Sequence, residues 1–166
     1  MSRLQGLINE LSHEAELTRN VLAAIPYDKA MWQPHEKSMS LIALATHIAE
    51  LGTWVSVTLD YPELDFAKGY VSTPQPASTE ELLALHDNSI ASALECLNRI
   101  DDSTLNEDWT MRNGDTIYFT MPKIATLRRW VYNHLYHHRG QLTVYLRLLD
   151  IPVPSTFGPT ADVQSM

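Results

Sequence analysis

Apolar residues recur at helical spacing through four stretches of the chain. Leu4, Leu7, Ile8, Leu11, Ala15, Val21 and Leu22 form one face from residue 2 to about 24, while Glu10, His13, Glu16 and Asn20 fall mainly elsewhere on the wheel. This pattern predicts a first amphipathic helix, ended by Ile25-Pro26. Pro34 lies in a polar connection that runs to Ser40, a residue suited to cap a second helix marked by Leu41, Leu44, Ile48, Leu51 and Val55. Residues 60–78 are rich in Pro, Gly, Ser and Thr, and a connection of that length predicts a crossover instead of a tight antiparallel turn.

Ser78-Thr79-Glu80-Glu81 has the order of a capping box, and Leu82, Leu83, Ile90, Ala93, Leu94, Leu97 and Ile100 supply the apolar face of a third helix ending near Asp101. Between about 108 and 119, Trp109-Thr110-Met111-Arg112 and Thr116-Ile117-Tyr118-Phe119 flank Asn113-Gly114. That dipeptide supplies the positive φ angles of a tight turn, so a small β-hairpin is expected there. With Pro122 in its first turn, a fourth helix follows through Ile124, Leu127, Val131, Leu135, Leu142, Tyr145, Leu146 and Leu149 to about Asp150. Ile151-Pro152-Val153-Pro154 stops it, leaving a 16-residue tail whose Phe157-Gly158-Pro159 can pack on the helices or on a second subunit. The expected fold class is all-α: one domain over residues 1–166, a four-helix bundle with a long crossover after helix two and a small hairpin between helices three and four.

Composition narrows the chemistry. Twelve Lys and Arg against 20 Asp and Glu give a formal charge of -8, so the surface repels phosphate backbones and nucleic-acid binding is not expected. Charges, histidines or amides interrupt every apolar run before it reaches the roughly 18 to 20 residues that span a bilayer, so no membrane partner is expected. The single cysteine, Cys96, has no internal partner, and MSRLQGLINELSHE lacks the basic start and apolar core of a signal peptide. A soluble, cytoplasmic protein is the expectation.

The chemistry-bearing residues are histidines. His134 and His138 are one helical turn apart, about 40° on the wheel, and they interrupt the stripe Leu127, Val131, Tyr145 and Leu149 where a bundle normally buries aliphatic side chains. In helix two, His47 falls on the stripe Leu44, Leu51 and Trp54, and a facing helix is where a third ligand is needed. The competing reading is three hydrogen-bonded core histidines without a metal. Three neutral imidazoles on one ion leave coordination positions open, the arrangement of a catalytic site. A zincin helix is excluded because Leu135, not Glu, follows His134, and a di-iron bundle because only Glu10-Leu11-Ser12-His13 has the Glu-x-x-His spacing.

His137 points about 100° away from His138 and reads as a flanking residue. His86 lies on the apolar face of helix three, either as a core histidine or as a support or substrate contact near the site. Glu50, one turn after His47, reads first as an exposed carboxylate and second as a group orienting a ligand or acting as a base. Arg139 and Gln141 flank the metal-bearing turn as substrate, solvent or dimer contacts. Cys96, between Glu95 and Leu97 with no activating cation in its local sequence, reads as a small core residue, and His13 and His35 as solvated.

His134-Leu-Tyr-His-His138-Arg-Gly-Gln-Leu with the upstream Leu44-Ala-Thr-His47-Ile-Ala resembles the DinB/YfiT-like superfamily of metal-dependent four-helix-bundle proteins. Trp32-Gln-Pro-His-Glu-Lys-Ser, the hairpin segment and Ile151-Pro-Val-Pro-Ser-Thr-Phe-Gly-Pro extend the likeness over nearly the whole chain. The resemblance implies an up-down-down-up bundle, often a homodimer, with one divalent ion (Zn, Ni, Fe or Mn) on His47, His134 and His138. Similar proteins include thiol-dependent S-transferases and a maleylpyruvate isomerase that use low-molecular-weight thiols, so a transferase joining such a thiol cosubstrate to a small-molecule electrophile is the first expectation. A hydrolase using metal-activated water, with His137 or Glu50 as base, and a non-catalytic, stress-related metal-binding protein are the alternatives.

Overall fold

A computed structural model describes residues 2–164. Its helices are α1 (Arg3–Ala23), α2 (Leu41–Glu50), α3 (Thr53–Asp60), α4 (Thr79–Asn98), α5 (Lys123–Leu127) and α6 (Asn133–Leu148), and its strands are β1 (Glu63–Asp65), β2 (Asp108–Asn113) and β3 (Thr116–Pro122). The chain is therefore mostly helical, with a three-stranded sheet in the order β1-β2-β3. The caps form where the sequence places them: Ser40 Oγ accepts from the Ala43 amide at 3.3 Å, and Ser78 Oγ from the Glu81 amide at 3.2 Å. Glu81 Oε2 in turn accepts from the Ala77 amide at 2.7 Å.

The expected second helix is two helices, α2 and α3, bent by 43° at Leu51–Gly52. The bend lets α2 and α3 serve different halves of the core. Leu41, Leu44, Ala45 and Ile48 pack with Val21, Leu22, Leu82, Leu135, Leu142 and Leu146, whereas Val55 and Leu59 pack with Leu7, Leu11, Leu97, Leu127, Val131 and Tyr132. Trp54 touches both groups. Gly52 is required at the bend because a Cβ there would meet the Ser89 backbone at 2.7 Å, where α4 presses against the kink. Gly52→Ala is expected to lower unfolding free energy by about 1–3 kcal/mol; a urea midpoint unchanged from wild type would contradict this contact.

The expected fourth helix is also interrupted. Pro122 ends β3 and caps α5 instead of entering a helix, and Arg128–Tyr132 form a π-helical turn between α5 and α6. The extra residue in a π turn shifts the buried face. Along α6 the buried residues are Leu135, Arg139, Leu142 and Leu146, so His134 and His138 lie at the margin of the stripe and not on its centre line. Asp150, in the left-handed region at φ 58°, closes the helix while the Ile151 amide donates to the Leu146 carbonyl at 3.0 Å.

The hairpin forms with one correction: only Gly114 has positive φ (57°), while Asn113 is the last residue of β2. Gly114 takes the first of two central turn positions, and its amide donates to Asp65 Oδ1 at 2.9 Å. That bond helps to anchor β1, which pairs parallel to β2 and was not legible in the crossover sequence. The tail packs back on its own chain: Val153 is buried, and Asp162 accepts from Arg147 and from the Val153 amide. No single helix among the described residues is long and apolar enough to cross a membrane; α2 and α3 pass that test only as a bent pair, and both line the core.

Candidate metal centre

Packing of α2 against α6 brings His47 to His134 and His138. His47 and the α6 pair meet because each sits at the edge of its helix's buried stripe, next to Ile48 on one side and Leu135 on the other. The π turn immediately precedes the ligand-bearing helix and supplies Trp130, whose ring meets that of His134 edge-on at 6.1 Å and stacks on Phe119 at 5.7 Å. The three imidazole rings have centroids 4.6 to 4.8 Å apart.

Their orientation is decisive. His47 Nε2 lies 3.2 Å from His134 Nε2, which lies 2.8 Å from His138 Nε2. The opposite ring nitrogens face acceptors: His47 Nδ1 is 3.1 Å from Glu50 Oε1, His134 Nδ1 is 3.3 Å from the Trp130 carbonyl, and His138 Nδ1 is 2.7 Å from Gln141 Oε1. A carboxylate, a carbonyl and an amide oxygen can only accept, so each Nδ1 carries the ring proton and donates it. The three Nε2 atoms then present lone pairs to one another. Acceptors facing acceptors at these distances repel, and a shared cation removes the repulsion.

The donor set fits such an ion. With metal–nitrogen bonds of about 2.0 to 2.1 Å, neighbouring ligands on a tetrahedral or octahedral ion stand about 3 Å apart, close to the observed spacings. All three ligand atoms lie within 4.8 Å of one another, so the cluster could hold one divalent ion. The three outer acceptors fix tautomer and ring direction, the usual arrangement around metal-binding histidines.

Burial lowers the His138 pKa to about 4, with the neighbouring His134 and His47 acting in the same direction against the hydrogen bond to Gln141. Burial, reinforced by the neighbouring His47, also lowers that of His134. Burial would raise the Glu50 pKa, but hydrogen bonds from His47 and Thr73 outweigh it and hold the carboxyl below its ordinary range. For the metal-free protein the sign follows directly. Between the ordinary histidine value of 6.5 and about 4 the unfolded chain takes up protons that folded His138 refuses. Stability is expected to be full above pH 6.5 and to fall toward pH 4, and His138→Gln should flatten that part of a urea-midpoint profile; an identical profile in the variant would contradict the assignment.

The other singled-out residues separate clearly. Glu50 is not the exposed carboxylate expected first: it is 9 % exposed and holds His47. Gln141 holds His138, while His137 is exposed, with its ring 4.8 Å from that of His138. His86 is buried, but between α4 and α1, where Nδ1 meets Asp87 Oδ1 at 3.2 Å; it is not part of the histidine cluster. His13 and His35 are exposed. Cys96 is buried as expected, yet Arg99 Nη2 lies 3.2 Å from its Sγ, a cation that its immediate sequence neighbours did not reveal.

Arg139 is neither a solvent nor a substrate contact. It is 3 % exposed, its Nη2 lies 2.6 Å from Glu14 Oε2, and its Nη1 donates to Thr18 Oγ1 at 3.1 Å. Glu14 and Thr18 were missed from the sequence. The signal was their i, i+4 placement on the apolar side of α1 next to Leu11, Ala15 and Leu22.

The sequence model of the DinB family matches residues 1–162. YrdA of Bacillus subtilis strain 168 is 25 % identical over 166 residues, covering 96 % of this chain and 90 % of that protein. Among solved structures, a DinB-like protein from Bacillus cereus ATCC 10987 superposes with a TM-score of 0.71 at 22 % identity, over 92 % of this chain and 97 % of the other. The DinB-like protein YjoA of Bacillus subtilis gives 0.69 at 18 % identity, over 96 % and 99 %. The fold is thus DinB-like, and with the family model covering nearly every residue, the chain belongs to the DinB family.

Proposed function

We propose that His47, His134 and His138 hold one divalent ion, Zn, Ni, Fe or Mn, and that the protein is a metal-dependent transferase joining a low-molecular-weight thiol to a small electrophile. The observation that carries the reading is the convergence of three Nε2 lone pairs, each enforced by an acceptor on the far side of its ring. An ion on three neutral imidazoles supplies Lewis acidity that stabilises a thiol as its thiolate near neutral pH. Glu50, the Trp130 carbonyl and Gln141 fix the proton of each ring on Nδ1 and aim the three Nε2 atoms at one another. A protein nucleophile is unnecessary in this reading, which accords with the burial of Cys96.

A hydrolase reading has less support, because the Glu50 carboxylate is engaged by His47 and His137 is turned to solvent. The proposal extends to the assembly: one domain whose helices run up-down-down-up as a four-helix bundle, forming a cytoplasmic homodimer with a small-molecule substrate and neither nucleic acid nor membrane as partner. The net charge of -8 supports the exclusion of nucleic acid. The test is metal analysis of purified protein together with thiol conjugation to a chromogenic aryl halide. Stoichiometric metal and a conjugation rate that His138→Ala abolishes are expected. Metal without turnover across a panel of thiols would leave the non-catalytic metal-holding role, and absence of metal after incubation with Zn²⁺ or Ni²⁺ would remove both.

A further inference from the structure

In a chain with 20 Asp and Glu against 12 Lys and Arg, a cation without an acidic partner is conspicuous. Among the described residues, every arginine but Arg129 and every lysine but Lys37 is ion-paired with a carboxylate. Lys37 lies in the exposed connection before α2. Arg129 is also exposed, but its guanidinium lies over the Trp130 ring, 5.6 Å from the centroid. The same indole meets the His134 ring edge-on at 6.1 Å, so one ring separates the free cation from the three histidines. The π turn creates this proximity. In an α-helix, residues five apart point about 140° away from each other. Here the Asn133 amide donates to the Arg128 carbonyl, five residues back, and bonds of that span bring residues five apart toward one side. Arg129 and His134 are five apart.

We infer that Arg129 binds the carboxylate of the thiol substrate, so that the site takes an acidic thiol whose sulfur and carboxylate stand about one indole apart. A guanidinium presents a planar fork of donors that matches a carboxylate with two parallel hydrogen bonds. No carboxylate of this chain has to be displaced first, and stacking on Trp130 holds the long side chain in place, which lowers the cost of ordering it around a ligand. The charge of -8 repels anions from the surface at large, so an acidic substrate needs a local positive point. Glu50 does not cancel that point: it lies behind the His47 ring, at Nδ1, whereas Arg129 approaches by way of His134. The inference rests on the reading above, that the thiol sulfur meets the ion on the three Nε2 atoms; the contact with Arg129 is read by binding, without turnover.

Isothermal titration of the full chain at pH 7, with and without one equivalent of Zn²⁺, tests it with 6-mercaptohexanoate and its uncharged counterpart 6-mercaptohexan-1-ol. Zinc-loaded wild type is expected to bind the carboxylate at least tenfold more tightly than the alcohol. Arg129→Gln should reduce the carboxylate to the affinity of the alcohol while zinc affinity and alcohol binding stay unchanged, a pattern that a damaged fold would not give. Arg129→Lys keeps the charge without the planar fork and should recover part of the preference. Equal binding of the two ligands, binding of neither, or a preference that survives in Arg129→Gln, as when the carboxylate chelates the zinc itself, would overturn the inference. Zinc affinity read in parallel separates the two proposals. Zinc bound without charge preference leaves the metal reading standing and removes the role of Arg129. If wild type binds no zinc, the metal reading falls, and the role of Arg129 falls with it unless the metal-free protein shows a carboxylate preference that Arg129→Gln abolishes.

Discussion

Zn²⁺ or Ni²⁺ at a hundredfold excess over its dissociation constant is expected to stabilise the wild-type protein by about 2.7 kcal/mol, and His138→Ala to erase that gain. For a chain of this size the gain corresponds to a rise in Tm of about 5–10 °C. The physical reason is the linkage between a ligand that binds only the folded state and the folding equilibrium, because the three Nε2 atoms converge only when α2 and α6 are packed. The metal-free proteins should behave differently. Removing the His138 ring relieves lone-pair repulsion at 2.8 Å from His134, so metal-free His138→Ala should be at least as stable as metal-free wild type. Thermal melts in chelator and in added metal measure both quantities. A metal-induced shift of equal size in wild type and variant would show that the ion binds elsewhere. A metal-free variant several kcal/mol less stable than wild type would show that the imidazoles are mutually supporting without an ion.

The second large effect is structural. Arg139→Met is expected to cost about 3–5 kcal/mol, because it leaves the Glu14 carboxylate buried without its counter-ion. Arg139 also donates to the Glu14 carbonyl and Thr18 Oγ1, and its guanidinium lies against the Tyr136 ring at 5.6 Å and the Phe157 ring at 5.2 Å. The pair thus joins α1, α6 and the tail. Replacing both charges, Glu14→Leu with Arg139→Met, should recover most of the loss, since two apolar side chains of similar volume avoid the desolvation penalty. Urea unfolding of the two single variants and the double variant closes the cycle. A single-variant cost below 1 kcal/mol, or a double variant whose loss equals the sum of the singles, would contradict a buried coupled pair.

These two sites differ in how well the sequence announced them. His47, His134 and His138 were legible because a polar residue on an otherwise apolar stripe is conspicuous, and because one helical turn separates the α6 pair. Arg139 and Glu14 follow the same logic, yet Arg139 reads from sequence as a substrate, solvent or dimer contact and Glu14 goes unnoticed, since long charged side chains at helix edges are usually solvated and nothing in the local pattern reveals a partner 125 residues away. Glu50 was misjudged for the same reason: its burial depends on Thr73 and the crossover, which lie far along the chain.

The elements show a parallel division. Caps at Ser40 and Ser78, the turn at Gly114 and the apolar faces of α1 and α4 are local events, governed by side chains within a few residues, and so they were set by sequence alone. The kink at Gly52, the π turn at Arg128–Tyr132 and strand β1 are not local. Gly52 yields to the Ser89 backbone of another helix, and β1 exists because β2 offers it an edge. What the sequence by itself determined is therefore where the main helical stretches lie and which imidazoles are candidates for a shared site. Only the tertiary structure decided which nitrogens converge and which acceptors hold them, because those depend on distances between helices that no periodicity encodes.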